Sequence, residues 1–195
     1  MNLHKAFSAS LVIATLFSAS FVVQAKYTLS QSDSQINFIS VKNDRVGEIH
    51  SFDKFSGTLS NEGKLNVEVA LSSVNTAIDI RNQRMQNLLF NTDVFPNATF
   101  SAQIEPSLLE LSAGESTTTT VAVQLSLHGQ SVPMEFTLRV NALAPGKIQV
   151  NTLVPSLLNV DDFDLGKGLE ALREIAKLQN IAYSVPLTFN VVFEA

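Results

Sequence analysis

Few side chains in this sequence could carry out acid–base or metal chemistry. The chain has no Cys, which excludes disulfides, thiolate nucleophiles and Cys-ligated metals. Beyond residue 25 it has two histidines, His50 and His128, and neither lies in a His-Glu-x-x-His or a Gly-x-Ser-x-Gly pattern. His128 adjoins a predicted tight turn and is expected to face solvent. His50 could meet the head group of a ligand, but a structural role is the simpler interpretation.

Charged side chains form two further groups. Asp161, Asp162 and Asp164 lack the residue order of a calcium loop and are expected to cap the helix that follows them. Arg81 and Arg84 could pair with phosphate or carboxylate oxygens, or could form the solvent side of a helix. The formal net charge is -5 and the basic residues are scattered, which disfavours nucleic acid and anionic membrane surfaces as partners.

Residues 1–25 have the features of a cleavable secretion signal. Lys5 precedes an apolar stretch, and the stretch ends at Val23-Gln24-Ala25, which fits cleavage after Ala25. Residues 26–195 are then a single domain, which we expect to be exported to the periplasm. A retained membrane anchor is the alternative, because residues 6–23 approach the ~20 residues that span a bilayer.

The exported part alternates apolar and polar residues with a period of two. Such alternation is typical of antiparallel strands with one buried and one solvent-facing side. The apolar rows fall within residues 67–71, 98–104, 121–127, 132–140 and 183–193.

Two hairpins can be placed within this pattern. A type II′ turn at Gly129-Gln130 would pair His128 with Ser131, and therefore Leu125 with Met134. A five-residue loop over residues 143–147 would set Ala142 opposite Ile148.

Residues 81–90 and 169–178 break the period and are predicted to form short helices. About eight long strands remain, and a sheet of that length protects its edges most simply by closing. The sequence therefore predicts an all-β fold: an antiparallel barrel of about eight strands with two short inserted helices.

The order and spacing of several short motifs resemble the YceI-like family of secreted lipid-binding proteins. Its members commonly carry Arg-Asp-x-His-Leu in the first helix, where this chain has Arg81-Asn82-Gln83-Arg84-Met85. The motifs that carry the resemblance are Tyr27-Thr28-Leu29, Ser34-Gln35-Ile36-Asn37-Phe38, Phe52-Asp53-Lys54-Phe55-Ser56-Gly57-Thr58-Leu59, Phe95-Pro96-Asn97-Ala98-Thr99-Phe100 and Leu125-Ser126-Leu127-His128-Gly129 with Val132-Pro133-Met134. The resemblance implies a lipocalin-like barrel whose apolar interior holds a long polyisoprenoid chain.

We therefore expect a periplasmic, non-enzymatic protein that binds, carries or sequesters a long apolar lipid such as a polyisoprenoid or a quinone-type molecule. His50 and Arg84 are the expected polar contacts at the mouth of the barrel. No metal, cofactor, nucleic acid or stable membrane insertion is expected, and the oligomeric state stays open, a homodimer included. The expected apolar wall residues are Phe38, Phe55, Val69, Phe100, Phe136 and Phe189.

Two other functional classes fit the same pattern less well. A small outer-membrane barrel would need aromatic girdles at both interfaces, whereas the chain has 0 Trp and 2 Tyr. An enzyme acting on a lipid inside the barrel would need an inward-facing polar pair, for which His50 with Asp53 or Glu48 is the only nearby candidate.

Overall fold

The structure is a computed structural model that describes residues 25–195. The predicted secretion signal lies outside the described residues, apart from its last residue, Ala25. The strands are β1 Ala25–Lys42, β2 Val46–Phe52, β3 Phe55–Ser60, β4 Lys64–Ala70, β5 Val74–Asn75, β6 Asn97–Gln103, β7 Ser116–Leu127, β8 Gln130–Ala144, β9 Lys147–Thr152, β10 Ser156–Asn159 and β11 Ser184–Glu194.

Eight of these strands close into an antiparallel barrel, as the sequence predicts. The ring runs β1-β3-β4-β6-β7-β8-β9-β11 and returns to β1. The closing pair is β1 with β11, in which Phe38 lies opposite Leu187. The short strands β2, β5 and β10 extend the sheet beside this ring, with β2 on the last part of β1 and β10 on the first part of β11.

Alternation along the strands turns the apolar rows into the barrel. On β7, Val121, Val123 and Leu125 are buried while Ala122 between them is exposed. On β8, Phe136, Leu138 and Val140 are buried, while Val132 and Met134 of the same row are half-buried. Each fully buried side chain of this size contributes roughly 1.5–3 kcal/mol.

The hairpin between β7 and β8 turns one residue earlier than the sequence predicts, and this moves the pairing register of the two strands by two residues. His128 and Gly129 both have positive φ, 51° and 81°, which makes a type I′ turn rather than type II′. Leu127 therefore pairs with Gln130, and Leu125 with Val132 rather than Met134. A shift of two residues keeps every side chain on its predicted side of the sheet.

Two further expectations about local structure can be compared with the fold. Ala142 pairs with Ile148 across the β8–β9 hairpin, as predicted. His128, by contrast, is half-buried: its Nδ1 lies 3.1 Å from the Phe163 carbonyl oxygen and its ring packs on Phe95. The expectation that His128 faces solvent is therefore wrong.

Both predicted helices are present with shifted bounds. The first is α1 Asp79–Arg84, which continues as a wider π-helical stretch over Met85–Phe90. The second is α2 Gly166–Ile175, which packs against Met85–Phe90.

The expected capping of α2 by the three aspartates is not observed. α2 begins without a side-chain cap. Asp164 instead accepts a hydrogen bond from Gln130 Nε2, and the side chain of Asn159 caps the single turn Val160–Phe163.

Candidate functional site

The interior of the barrel contains two adjoining apolar cavities. The larger has a volume of about 430 Å³ and is bounded by barrel strands and by both helices. The smaller has a volume of about 100 Å³ and lies among strand residues and the turn Pro106–Leu109. Ile36, Phe100 and Leu187 line both cavities, so the two meet at these side chains. The larger volume is within the ~300–1,000 Å³ range of small-molecule sites in proteins.

Five of the six predicted wall residues line a cavity. Phe38, Val69 and Phe100 line the larger one, and Phe100, Phe136 and Phe189 line the smaller one. Phe55 is the exception: it is buried on β3 opposite Val69 and lines neither cavity. Phe55 is therefore a packed core residue. The alternation of apolar and polar residues predicts which side chains are buried, but it does not predict which of them line a cavity.

His50 is placed on the wall of the larger cavity by β2. Its side chain is 4% exposed, its Nε2 lies 2.8 Å from Ser40 Oγ on β1, and its ring packs on Phe38 at 5.1 Å between centroids. Nδ1 has no hydrogen-bond partner among the described residues. Burial is the main cause of the lowered pKa of His50; the Arg81 charge adds to it and the Glu48 charge opposes it. The imidazole is therefore neutral near pH 7.

An ion-paired group lies at the same end of the cavity. Glu48 Oε2 accepts hydrogen bonds from Lys42 Nζ at 2.9 Å and Arg81 Nη1 at 2.8 Å. The hydrogen bond from Lys42, with the Arg81 charge, lowers the pKa of the Glu48 carboxyl. Arg81 Nη2 donates to the Thr76 carbonyl oxygen at 2.7 Å, while its Nε is buried without a partner among the residues described.

Arg84, from the end of α1, also lines the larger cavity. Within residues 25–195 its guanidinium forms no ion pair or side-chain hydrogen bond. His50 and Arg84, the two residues predicted for the polar mouth, thus both line the larger cavity. Arg81, for which the sequence left two roles open, lines the cavity as well.

Two polar residues of this end, Ser40 and Lys42, were missed by the sequence analysis, and Glu48 was considered only as a catalytic partner of His50. A signal for them existed. Ser40 and Lys42 follow Phe38 at intervals of two on β1, and Glu48 precedes His50 by two on β2, so each shares the face of an assigned residue.

The polar pairs considered for catalysis are not formed. Glu48 is bonded to Lys42 and Arg81, and Asp53 accepts from Ser51 Oγ at 3.1 Å and Asn75 Nδ2 at 2.9 Å. The Ser40–His50 contact has the spacing of a hydroxyl–base pair, but in the described part of the chain no carboxylate orients the other ring nitrogen.

Residues 25–195 contain no cluster of three or more His, Asp or Glu side chains suited to a metal ion. None of the helices in this part of the chain has the length and apolar character to cross a membrane.

Comparison with known families gives a clear match. The model of the YceI-like domain matches residues 27–193. The chain belongs to the YceI-like family. A search of curated proteins found no match.

Solved structures resemble the YceI-like chain over most of its length. A polyisoprenoid binding domain from Saccharophagus degradans, implicated in plant cell wall breakdown, is 35% identical, with a TM-score of 0.86 over 88% of this chain and 99% of that one. BcnA of Burkholderia cenocepacia is 17% identical, with a TM-score of 0.63 over 84% and 98% of the two chains. The YceI protein of Campylobacter jejuni is 17% identical, with a TM-score of 0.55 over 75% and 84%. The last two similarities concern the fold alone.

Proposed function

We propose that this YceI-like protein binds a long apolar lipid, such as a polyisoprenoid, inside its barrel and carries or sequesters it in the periplasm. The observation that carries the proposal is the apolar cavity of about 430 Å³ bounded by barrel strands and the two helices. The polyisoprenoid binding domain of Saccharophagus degradans, at 35% identity, supports the choice of lipid class.

The physical basis of affinity is burial of the lipid tail. Each 100 Å² of apolar surface removed from water contributes roughly 2.5 kcal/mol, before the cost of immobilising the chain. Phe38, Val69 and Phe100 would contact the tail in the larger cavity, and Phe136 and Phe189 in the smaller. His50 and Arg84 would meet the polar end. This arrangement needs no chemical step, which agrees with a carrier rather than an enzyme.

The direct test is lipid extraction from the purified mature protein, followed by mass spectrometry and by uptake of an added isoprenoid after delipidation. We expect a co-purified lipid, or saturable uptake at one site. Absence of both would contradict the proposal.

A filled cavity gives a sharper version of this test. Ala98 is buried and lines the larger cavity, so Ala98→Phe should occupy part of it and weaken uptake at least about tenfold. Ala122→Phe is the matched control, because Ala122 is exposed on β7. Melting temperatures of both variants separate loss of binding from loss of fold. Equal uptake by the two variants would show that the cavity is not the site.

The location in the cell is a separate part of the proposal. Removal of residues 1–25 would leave Lys26 as the first residue of a periplasmic protein, which N-terminal sequencing checks. Release by osmotic shock without detergent is expected. Recovery only in the detergent-extracted envelope would favour the membrane-bound alternatives.

A further inference from the structure

We infer that the polar end of the larger cavity binds a lipid carboxylate, so that the protein prefers an acidic lipid over a neutral lipid with the same chain. This inference rests on the proposed function and specifies its head group. It begins from two buried atoms, His50 Nδ1 and Arg81 Nε, neither of which has a partner among the described residues. Buried polar atoms in proteins are almost always hydrogen-bonded, so a bound ligand is the natural source of these missing partners.

The nature of the unpaired groups specifies an acceptor. A guanidinium only donates hydrogen bonds, so Arg81 Nε needs an acceptor, and Arg84 adds a guanidinium with no protein partner among the residues described. The neutral His50 ring can donate from Nδ1 when Nε2 accepts from the Ser40 hydroxyl, 2.8 Å away. Carboxylate oxygens accept hydrogen bonds and can therefore partner each of these donors.

The charges of the same cluster specify a negative group. The larger cavity is lined by three cationic side chains, Lys42, Arg81 and Arg84, and by one carboxylate, Glu48. Glu48 is already shared by Lys42 and Arg81 through hydrogen bonds of 2.9 Å and 2.8 Å. Within residues 25–195 Arg84 is thus left without a counter-charge, and one negative charge on the ligand would pair with it. A carboxylate also fits the planar fork of a guanidinium.

The rest of the cavity explains why the acid must be a lipid. Away from this polar cluster the walls are apolar, including Leu71, Leu89 and Leu125. A small hydrophilic acid would leave these surfaces without contacts. An acid with a long hydrocarbon tail can contact the polar cluster through its carboxylate and the apolar walls through its tail.

Calorimetric titration of the delipidated mature protein with geranylgeranoic acid and geranylgeraniol tests the inference, because these two probes share one chain and differ in the head group. At low salt and pH 7.5 we expect the acid to bind about tenfold more tightly, the effect of a charge-assisted hydrogen bond. The preference should shrink at high salt, since Lys42, Arg81 and Glu48 are partly solvent-exposed.

Two matched variants assign the effect to the cavity. Arg84→Gln should remove most of the preference without unfolding the protein, because Arg84 makes no ion pair or side-chain hydrogen bond within residues 25–195. Arg45→Gln removes an equal charge from the exposed turn after β1, outside the cavity, and should leave the preference intact. Equal affinities for acid and alcohol in the wild type, or an unchanged preference in Arg84→Gln, would overturn the head-group inference alone. Failure of both probes to bind would overturn the proposed function with it.

Discussion

His50 occupies an unusual position for a titratable side chain. It is 4% exposed and, among the described residues, only one of its two ring nitrogens has a hydrogen-bond partner. The sequence singled it out because few other polar side chains could face the interior. The sequence could not show which ring nitrogen of His50 is hydrogen-bonded. Ser40 on β1 contacts Nε2, and Nδ1 has no partner among the described residues. A side chain's partners across strands depend on register and rotamer, which the periodicity of one strand does not contain.

The lowered pKa of His50 makes stability depend on pH. The imidazole's usual pKa is 6.5, and burial lowers it in the folded protein. The unfolded chain therefore binds a proton at a higher pH than the folded chain does. The free energy of unfolding should be largest above pH 6.5 and should fall as the pH drops from 6.5 to the folded pKa, by up to about 1.4 kcal/mol per pH unit.

His50→Gln, which cannot titrate, should give a flatter profile over that interval. Urea denaturation of both proteins at several pH values between 7.5 and 5 measures the difference. Parallel profiles would mean that protonation of His50 is not coupled to folding.

At the level of whole elements, the sequence predicts faces better than it predicts register. The closed barrel, the inward rows of β7 and β8 and the Ala142–Ile148 pair are confirmed. The predicted register of β7 against β8 was wrong by two residues, and the turn by one, because apolar rows match equally well after such a register shift. Only the backbone dihedrals separate the two registers. His128 has a positive φ, which places the turn at His128-Gly129. A positive φ is uncommon for a residue other than glycine, so the sequence did not predict it.

A charged side chain in the inward-facing row of β8 should destabilise the fold far more than a charged side chain on the outer face of the barrel. Phe136 is 1% exposed, so Phe136→Glu loses a packed ring and places a charge in an apolar interior. We expect it to lower the free energy of unfolding by at least about 4 kcal/mol, or to prevent folding. Thr118→Glu is the control, since Thr118 is exposed on β7 opposite Arg139 and should tolerate the charge. Chemical denaturation measures both; similar stabilities would mean that the face of β8 is misassigned.

The contact between the two helices depends on a glycine. A Cβ at Gly168 would lie 2.4 Å from the Leu88 carbonyl oxygen and 2.7 Å from Leu89 Cα, both backbone atoms of the π-helical stretch. Gly168→Ala should therefore cost about 1–3 kcal/mol, although alanine ordinarily favours a helix. Gly47→Ala is the matched change, because nothing lies within 4 Å of the added carbon. Thermal unfolding should separate the two variants, and equal melting temperatures would contradict the close approach.

At the level of the whole molecule, the decisive property is the cavity volume inside the barrel. Alternating apolar residues describe a solid core as well as a hollow one, so the sequence alone could not distinguish them. The structure shows a hollow that is divided at Phe100, Ile36 and Leu187, which line both cavities. Phe100 is the largest of the three, and its ring lies 6.3 Å from that of Phe136 in the smaller cavity. The division suggests that Phe100 limits how far a lipid tail can extend.

Shortening Phe100 should therefore change the preferred length of the lipid. Phe100→Ala would join the two cavities, of about 430 and 100 Å³, and should favour geranylgeraniol over geraniol more strongly than the wild type does. Phe38→Ala is the control: it removes the same ring from a wall of the larger cavity only, and should not lengthen the accessible path. Both variants are expected to lose roughly 3–5 kcal/mol of stability without lipid. A difference in lipid preference between the two variants is therefore not explained by loss of stability. The measurement is the ratio of the two dissociation constants for each protein. A ratio that changes equally in both variants would show that added volume, and not the opening at Phe100, determines chain length.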